Sequence, residues 1–338
     1  MLFSSFELLD HSKPILVFGR DGQVGKALQV CLQNLKTPAV FLGRDECDLA
    51  NEDEIRQVLN HYQPQVIINA AAYTAAYTAA YTAVDKAESE RELAFAINAK
   101  APQVMAHYIA NVSHGILVHY STDYVFADTK TTSYLESDVA GPMNLLSIYG
   151  QSKFAGEQAI EEAFRSVHDS GHASYQDKFS RYFILRTSWM YGDGDNFIRT
   201  ILRLAAERDQ LKVVSDQMGA PTSAQWLAEV SIQLASSRVE SGIYHAAPDG
   251  ETSWHGLAVF AIETAETAGE GIEVKSENIL PIPAINYPLP AKRPFNSRLN
   301  NAKLKQALSE MAFTGQYPHW REQVEAYVKD YVVKSLKS

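Results

Sequence analysis

The chain has 338 residues, of which 46% are hydrophobic and 21% charged, which is ordinary for a globular protein with a large core. Its formal net charge of −10, without a long Lys/Arg run, argues against a nucleic-acid partner. Two cysteines, Cys31 and Cys47, are too few for a disulfide framework and favour a cytoplasmic protein. Residues 1–13 lack a basic start, so we expect a short N-terminal extension rather than a signal peptide, and no later segment is predicted to span a membrane.

A glycine-rich turn follows the first predicted strand. Residues 15–18 are a short apolar run, and Gly19, Gly22 and Gly25 follow it with the spacing G-x-x-G-x-x-G. From Val24 onward, apolar residues return at helical spacing. Glycines between a strand and a helix let backbone N–H groups approach a pyrophosphate, so this segment predicts a dinucleotide site. An ordinary turn is the alternative, and the strand–turn–helix context argues against it.

The second predicted strand, residues 39–42, ends just before Arg44. In nucleotide-binding folds of this kind, an acid at this position favours NAD and an arginine favours the 2′-phosphate of NADP. Arg44 therefore favours NADPH, with NADH still possible. A solvated loop charge is the alternative interpretation of Arg44.

The third predicted strand, residues 66–69, ends in small residues that allow backbone to come close to a flat cofactor. The tetrapeptide Ala-Ala-Tyr-Thr then occurs three times from residue 71 to residue 82. A period of four is too short for a solenoid unit, so we interpret it as a local duplication that lengthens the loop over the cofactor. Either Tyr73 or Tyr81 could fill the role of the single copy, and a sequencing artefact is the alternative explanation.

A further predicted strand, residues 116–120, delivers Thr122 at its C-terminal end, where open α/β sheets bind ligands. Downstream, Tyr149 and Lys153 are four residues apart on a predicted helix and share one face. We expect the ammonium to lower the pKa of the phenol, which could then protonate a carbonyl oxygen while a hydride arrives at carbon. Alone, Tyr-x-x-x-Lys is common on amphipathic helices and Thr122 could be a strand-end cap, but the order of the three features favours catalysis.

The rest of the chain predicts an α/β protein with two lobes. A Rossmann-like doubly wound parallel sheet is expected in residues 14–190, joined by 225–248, and a smaller α+β substrate-binding lobe in 191–224 and 249–330. Residues 88–112 predict one long helical stretch. Residues 281–290 predict a proline-rich loop without regular structure. It delivers Lys292 and Arg293, either as partners for an anionic diphosphate or as a surface charge pair.

Several motifs resemble those of extended short-chain dehydrogenases/reductases, and more narrowly those of the dTDP-4-dehydrorhamnose reductase family. They are Gly19-Arg-Asp-Gly-Gln-Val-Gly25, Asn69-Ala-Ala-Ala72, Ala83-Val-Asp-Lys-Ala-Glu88, Tyr120-Ser-Thr-Asp-Tyr-Val-Phe126, Tyr149-Gly-Gln-Ser-Lys153, Arg186-Thr-Ser-Trp189, Asp216-Gln-Met-Gly-Ala-Pro-Thr222 and Arg293-Pro-Phe-Asn-Ser-Arg-Leu299. The first of these motifs is shared by a broad superfamily, whereas the Ser-Thr-Asp-Tyr-Val-Phe and Asp-Gln-x-Gly-Ala-Pro-Thr motifs are far more specific.

The resemblance implies reduction of the C4 keto group of dTDP-4-dehydro-L-rhamnose to dTDP-L-rhamnose by NAD(P)H. Tyr149 would donate the proton, Lys153 would hold the nicotinamide ribose, and Thr122 would polarise the substrate carbonyl. The cofactor would contact Gly19, Gly22, Gln23, Val24, Arg44, Asp48, Leu49, Ala71, Ala72, Tyr73 and Thr74, besides Tyr149 and Lys153. The substrate would contact Thr122, Asp123, Tyr124, Trp189 and Arg293.

The chain also departs from the family pattern. Some members form dimers through Mg²⁺ held by glutamates, but Ala27 and Gln225 occupy the matching positions, so we expect a monomer or homodimer without a bridging metal. An inserted polar stretch carries His168 and His172, which we interpret as loop residues rather than metal ligands. No metal site is predicted.

Two other functions remain alternatives. One is a nucleotide-sugar epimerase or dehydratase, although Tyr124 stands where a dehydratase needs an acid. The other is a non-catalytic regulatory subunit of the methionine adenosyltransferase type.

Overall fold

A computed structural model describes residues 12–72, 83–169, 180–269, 275–311 and 317–335. The strands in these ranges are β1 (Ile15–Phe18), β2 (Ala39–Leu42), β3 (Val66–Asn69), β4 (Ile116–Thr122), β5 (Arg181–Thr187), β6 (Met190–Tyr191), β7 (Leu211–Val214), β8 (Met218–Gly219), β9 (Thr222–Ser223), β10 (Gly242–His245), β11 (Thr252–Ser253) and β12 (Ile279–Ile282). The α-helices are α1 (Gln23–Asn34), α2 (Glu52–Tyr62), α3 (Ala83–Ala87), α4 (Arg91–Phe95), α5 (Ala101–Ala110), α6 (Ile148–Asp169), α7 (Phe197–Glu207), α8 (Ala224–Ser236), α9 (Trp254–Thr267), α10 (Ala302–Glu310) and α11 (Trp320–Ser335).

The central sheet has six strands in the order β10-β5-β4-β3-β1-β2, and every neighbouring pair is parallel. Strands β1, β3 and β4 are buried along their whole length, as their continuous apolar runs predict for a sheet covered on both faces. Helices α1 and α8 contribute to the apolar core on one face, and α2, α5 and α6 contribute to the core on the other. The Rossmann-like, doubly wound prediction is therefore confirmed.

A second apolar core lies among α7, α9 and α11 and the paired strands β7 and β12. Its largest fully buried side chain is Trp320, at the start of α11. Two further two-stranded pairs, β6 with β9 and β8 with β11, lie beside this core. This is the smaller α+β lobe expected from the sequence.

One sequence prediction about local structure is refined and another is wrong. The predicted long helical stretch is continuous from Arg91 to Ala110, but it contains a π-helical turn, Ala96–Lys100, between α4 and α5. Residues Pro281 and Ile282, predicted as loop, belong to β12, which pairs with β7 in a two-stranded sheet. A proline is tolerated there because an edge strand need not use the N–H that proline lacks. No helix in the described ranges is long and apolar enough to cross a membrane.

Candidate active site

The predicted proton donor lies where α6 begins against the end of β4. After Thr122 the chain forms a short 3₁₀ turn, Asp123–Val125, which the Thr122 hydroxyl caps by accepting the Tyr124 N–H at 3.2 Å. Gly150 allows the first turn of α6 to pack on this turn, since a Cβ at residue 150 would lie 2.3 Å from the Tyr124 carbonyl oxygen. The rings of Tyr124 and Tyr149 consequently meet edge to face, with centroids 5.5 Å apart.

The expectation that Lys153 lowers the pKa of Tyr149 is not met in this structure. Burial raises the pKa of Tyr149, the Asp123 carboxylate raises it further, and a hydrogen bond with Thr122 acts in the opposite direction. The structure thus places Thr122 and Tyr149 together as predicted, but Tyr149 holds its proton tightly.

Lys153 is buried, with 1% of its surface exposed, and its ammonium end bonds to β4. Its Nζ lies 2.5 Å from the Tyr120 carbonyl oxygen and 3.2 Å from His119 Nε2. Burial lowers the pKa of Lys153 to about 8, although nearby Glu157 acts to raise it. Lys153 therefore loses its charge far more readily than a lysine in water.

Asp123, the first residue of the same 3₁₀ turn, has a buried carboxyl group. Burial raises its pKa to about 7, while hydrogen bonds from Ser297 and Thr122 act to lower it. Its Oδ1 accepts the Thr122 hydroxyl at 3.1 Å, and its Oδ2 has no hydrogen-bond partner within the described part of the chain. An unpaired buried acceptor is costly, so this oxygen is suited to accept a hydroxyl from a ligand.

A buried ion pair between α6 and β5 also bonds to β4. Glu157 on α6 accepts Arg186 Nε at 2.9 Å and Nη2 at 2.7 Å, and the Ser121 hydroxyl also bonds to Glu157. The two charged side chains are only 3% and 1% exposed. This bidentate pair joins β4, β5 and α6 directly beneath Thr122 and Lys153.

The glycine-rich turn has the geometry of a dinucleotide cradle. Gly19 has a φ of +90° and approaches β3 so closely that a Cβ would lie 2.6 Å from the Ala71 nitrogen. Gly22 is the N-cap of α1 and offers no side-chain acceptor to the first helical N–H groups. Gln23 Oε1 is buried without a partner in the described residues, and Val24 packs into the core. These residues fit the pyrophosphate of NADP, which helix N-termini favour.

The predicted adenosine end is more open. Arg44 is exposed beyond β2, Asp48 is partly buried and Leu49 is buried. The Asp48 backbone N–H donates to Glu54 and the Asp48 carboxylate accepts the Ala50 N–H. At the end of β3, Ala71 and Ala72 are partly buried, whereas Tyr73 and Thr74 lie outside the described residues.

The remaining predicted substrate residues lie in the second lobe or face it. Trp189, at a φ of +47°, is partly buried and stacks on Trp254 with a centroid distance of 3.8 Å. Arg293 makes a bidentate ion pair with the fully buried Asp85 at 2.9 and 2.7 Å. A pocket beside Tyr124 is lined in part by Leu146, Ser147, Lys292 and Pro294.

Four polar or aromatic partners in this region were not predicted from the sequence. They are Asp85, His119, Glu157 and Trp254. Each contacts a predicted site residue, or a residue of a motif beside one, that is distant from it in the sequence. Only Asp85 carried a signal, because it belongs to the motif that follows the tyrosine repeat. In the described ranges, no group of three or more His, Cys, Asp or Glu side chains is arranged to hold a metal ion.

Comparisons of the sequence with known proteins show the family of this chain. The family model described as the RmlD substrate binding domain matches residues 13–333. A dTDP-4-dehydrorhamnose reductase from Shigella flexneri is 40% identical over 300 residues, which covers 86% of this chain and 91% of the relative. The enzyme of the same name from Escherichia coli K12 is 39% identical over 300 residues, with the same coverage of both chains.

Solved structures similar to this chain include reductases of the same name. A dTDP-4-dehydrorhamnose reductase from Clostridium acetobutylicum has a TM-score of 0.76 and 31% identity, covering 96% of this chain and 100% of its own. The Bacillus anthracis reductase, solved in complex with NADP, has a TM-score of 0.75 and 31% identity, covering 93% of this chain and 98% of its own. A UDP-glucose 4-epimerase from Thermotoga maritima, 15% identical with a TM-score of 0.70, shares the fold alone. The chain thus belongs to the RmlD substrate-binding-domain family, the dTDP-4-dehydrorhamnose reductase family that its motifs resemble.

Proposed function

We propose that this protein is an NADPH-dependent oxidoreductase that reduces the C4 keto group of dTDP-4-dehydro-L-rhamnose to give dTDP-L-rhamnose. One observation supports the assignment beyond family membership: Thr122 bonds to Tyr149 at the carboxyl end of β4, and Lys153, one turn further along α6 than Tyr149, bonds to the Tyr120 carbonyl oxygen of the same strand. Ligands of open α/β sheets bind at this edge. A non-catalytic regulatory subunit would need none of these three groups in this arrangement.

Tyr149 is the proton donor in this proposal. Its pKa is raised by burial, so the phenol is fully protonated at neutral pH and can give its proton to the C4 oxygen as negative charge develops there. The Thr122 hydroxyl lies next to the phenol and would hydrogen-bond to the same substrate oxygen. NADPH, when bound, supplies the hydride. Lys153 would hold the nicotinamide ribose.

The substrate side of the site is supported by the second lobe. Asp123 Oδ2 is a buried acceptor without a partner in the described residues and would receive a sugar hydroxyl. Tyr124 and Lys292 line one small pocket, and the Lys292 ammonium would attract the diphosphate of the sugar nucleotide. The Trp189 ring would pack on the sugar ring, and Arg293 would face the diphosphate from its ion pair with Asp85.

The remaining parts of the proposal concern the whole chain. Residues 14–190, joined by 225–248, would bind NADPH, with Arg44 favouring the 2′-phosphate, and residues 191–224 and 249–330 would bind the sugar nucleotide. Because Ala27 and Gln225 replace the glutamates of metal-bridged relatives, the protein would be a monomer or a homodimer without such a metal. A cytoplasmic location fits Cys31 and Cys47, both reduced and buried.

The test is NADPH oxidation with dTDP-4-dehydro-L-rhamnose as substrate, comparing the wild type with Tyr149→Phe. Loss of the proton donor should reduce kcat by about 10²- to 10⁴-fold while NADPH binding persists. Tyr108→Phe, which removes a hydroxyl from α5, is the matched control and should retain wild-type turnover. If the wild type binds NADPH but does not oxidise it with this sugar, the assignment of substrate is wrong. A fully active Tyr149→Phe would remove Tyr149 from the mechanism.

A further inference from the structure

Three buried side chains form a hydrogen-bonded row beneath the proposed cofactor site. Asn69 ends β3, His119 lies on the adjacent strand β4, and Lys153 reaches β4 from α6. Asn69 Nδ2 lies 3.1 Å from His119 Nδ1, and His119 Nε2 lies 3.2 Å from Lys153 Nζ. Asn69 and His119 are at most 1% exposed. A buried row of this kind must satisfy donors and acceptors at each contact.

The orientation of the Asn69 amide decides which nitrogen of His119 carries the proton. Asn69 Oδ1 accepts the backbone N–H of Ala71 at 3.2 Å, so the amide presents its NH₂ group to His119. His119 Nδ1 therefore acts as the acceptor. Burial lowers the pKa of His119 well below its ordinary value, so the ring is neutral. Its single proton must then lie on Nε2, which faces Lys153.

This proton arrangement distinguishes between the two forms of Lys153. An ammonium group has only hydrogen-bond donors. Its N–H would therefore face the His119 Nε2–H, and neither group could accept a hydrogen bond from the other. An uncharged amine has one lone pair that can accept the Nε2–H, while one of its own N–H groups donates to the Tyr120 carbonyl oxygen at 2.5 Å. We propose that Asn69 and His119 form a tautomer-fixing pair that presents His119 Nε2–H to Lys153 and so makes the Lys153 ammonium easier to deprotonate in the cofactor-free protein than a lysine in water.

The other charged groups near Lys153 do not cancel this preference. Glu157, one turn along α6, favours the ammonium, but Arg186 neutralises its charge through two hydrogen bonds and Ser121 bonds to it as well. Tyr149 on the same helix is protonated and uncharged. The Tyr120 hydroxyl bonds to Ser231 on α8, on the opposite face of β4. Burial of Lys153 acts in the same direction as the histidine contact and lowers its pKa to about 8.

For the reaction, which rests on the proposed function, His119 is a positioning residue. It fixes the end of Lys153 beside β4 and keeps the proton affinity of the amine near working pH. The amine has one N–H beyond the contact with Tyr120 to offer to an acceptor oxygen.

The tautomer of His119 is measured in the cofactor-free wild type by long-range ¹H–¹⁵N NMR of the histidine rings. His245 serves as the internal contrast, because burial also lowers its pKa, to about 3, and its Nδ1–H donates to the Tyr134 carbonyl oxygen at 3.1 Å. The spectrum should therefore contain one non-titrating ring protonated at Nε2 and one protonated at Nδ1. His119→Gln should remove the Nε2–H signal, and His107→Gln, on the exposed face of α5, should leave both unchanged.

The second measurement is the pH titration of ¹³Cε-labelled lysine, with Lys153 assigned through Lys153→Met. The Lys153 resonance of the wild type should titrate with a midpoint at about pH 8. In His119→Gln, whose amide oxygen can accept from the ammonium, the midpoint should rise by about one unit or more. Asn69→Asp should move the His119 proton to Nδ1 and raise the midpoint as well.

Two results would overturn the inference. One is a non-titrating His119 ring protonated at Nδ1 in the wild type. The other is a Lys153 midpoint that His119→Gln leaves unchanged. Neither measurement requires substrate, so an incorrect substrate assignment would show in turnover assays and not here.

Discussion

Replacing Gly150 with alanine tests whether close packing of α6 on the Thr122–Tyr124 turn sets the catalytic geometry. The added Cβ would lie 2.3 Å from the Tyr124 carbonyl oxygen, whereas ordinary contacts begin at 3.4 Å. The obstacle is backbone, so the start of α6 must move away by about 1 Å. Tyr149 precedes residue 150 and would move with it. A displacement of about 1 Å costs about 10²-fold in rate, so kcat should fall by about that factor.

Stability should change less than activity. Alanine favours a helix over glycine by about 1 kcal/mol, and overpacking costs about 1–3 kcal/mol, so the net loss is about 0–2 kcal/mol. Gly256→Ala is a matched control, because Gly256 is likewise the third residue of its helix, α9. There the new Cβ would meet the Thr252 side chain at 2.5 Å rather than backbone, and Thr252 can move. The control should keep wild-type kcat.

The assay is steady-state NADPH oxidation by both variants, with denaturant unfolding measured in parallel. A Gly150→Ala enzyme with kcat within about twofold of wild type would show that this contact does not position Tyr149. An equal loss of activity in Gly256→Ala would show that the effect is not local to the site.

Three further predictions concern the charged groups of the site. Because burial raises the pKa of Asp123 to about 7, the folded protein binds its proton more tightly than the unfolded chain, so stability should fall as pH rises from about 4 to about 7. In thermal unfolding, Asp123→Asn should lose less stability than the wild type over this pH range. An identical pH profile for the two proteins would contradict the raised pKa of Asp123. Glu157→Gln should lower the free energy of unfolding by about 3–5 kcal/mol, because it leaves Arg186 buried without its counter-charge. Adding Arg186→Met to the same chain should restore part of that free energy in denaturant unfolding. Asp85→Asn should raise KM for the sugar nucleotide about tenfold with less effect on kcat, because the bidentate partner that orients Arg293 is lost, and an unchanged KM would show that the pair does not serve substrate binding.

Much of the fold could be predicted from local patterns. Short apolar runs mark β1 to β4, and the glycine-rich turn marks the start of α1, because a strand buried on both faces needs an unbroken run of apolar residues. The π-helical turn at Ala96–Lys100 was missed, since the sequence 96–100 has ordinary helical composition. The strand at Pro281 was missed because a proline argues against a strand unless its edge position is known.

The site was predictable only where its residues belong to motifs. Tyr149, Lys153 and Thr122 were predicted from spacing and order. The structure brings Thr122 to Tyr149 and the Lys153 ammonium to β4, and their catalytic roles stay a prediction. The electrostatics were not predictable, because the pKa of Tyr149 depends on burial and on Asp123, which spacing does not show. The expected effect of Lys153 assumed that its ammonium faces Tyr149, whereas Lys153 bonds to His119 and Tyr120 on β4.

The polar contacts of β4 alternate between its two sides. His119 and Ser121 bond to Lys153 and Glu157 on α6, while Tyr120 between them bonds to Ser231 on α8. Successive side chains of a strand point to opposite faces, so a deletion of one residue within β4 would exchange the two sets at once. The number of residues within β4 therefore decides which helix each of these polar side chains meets.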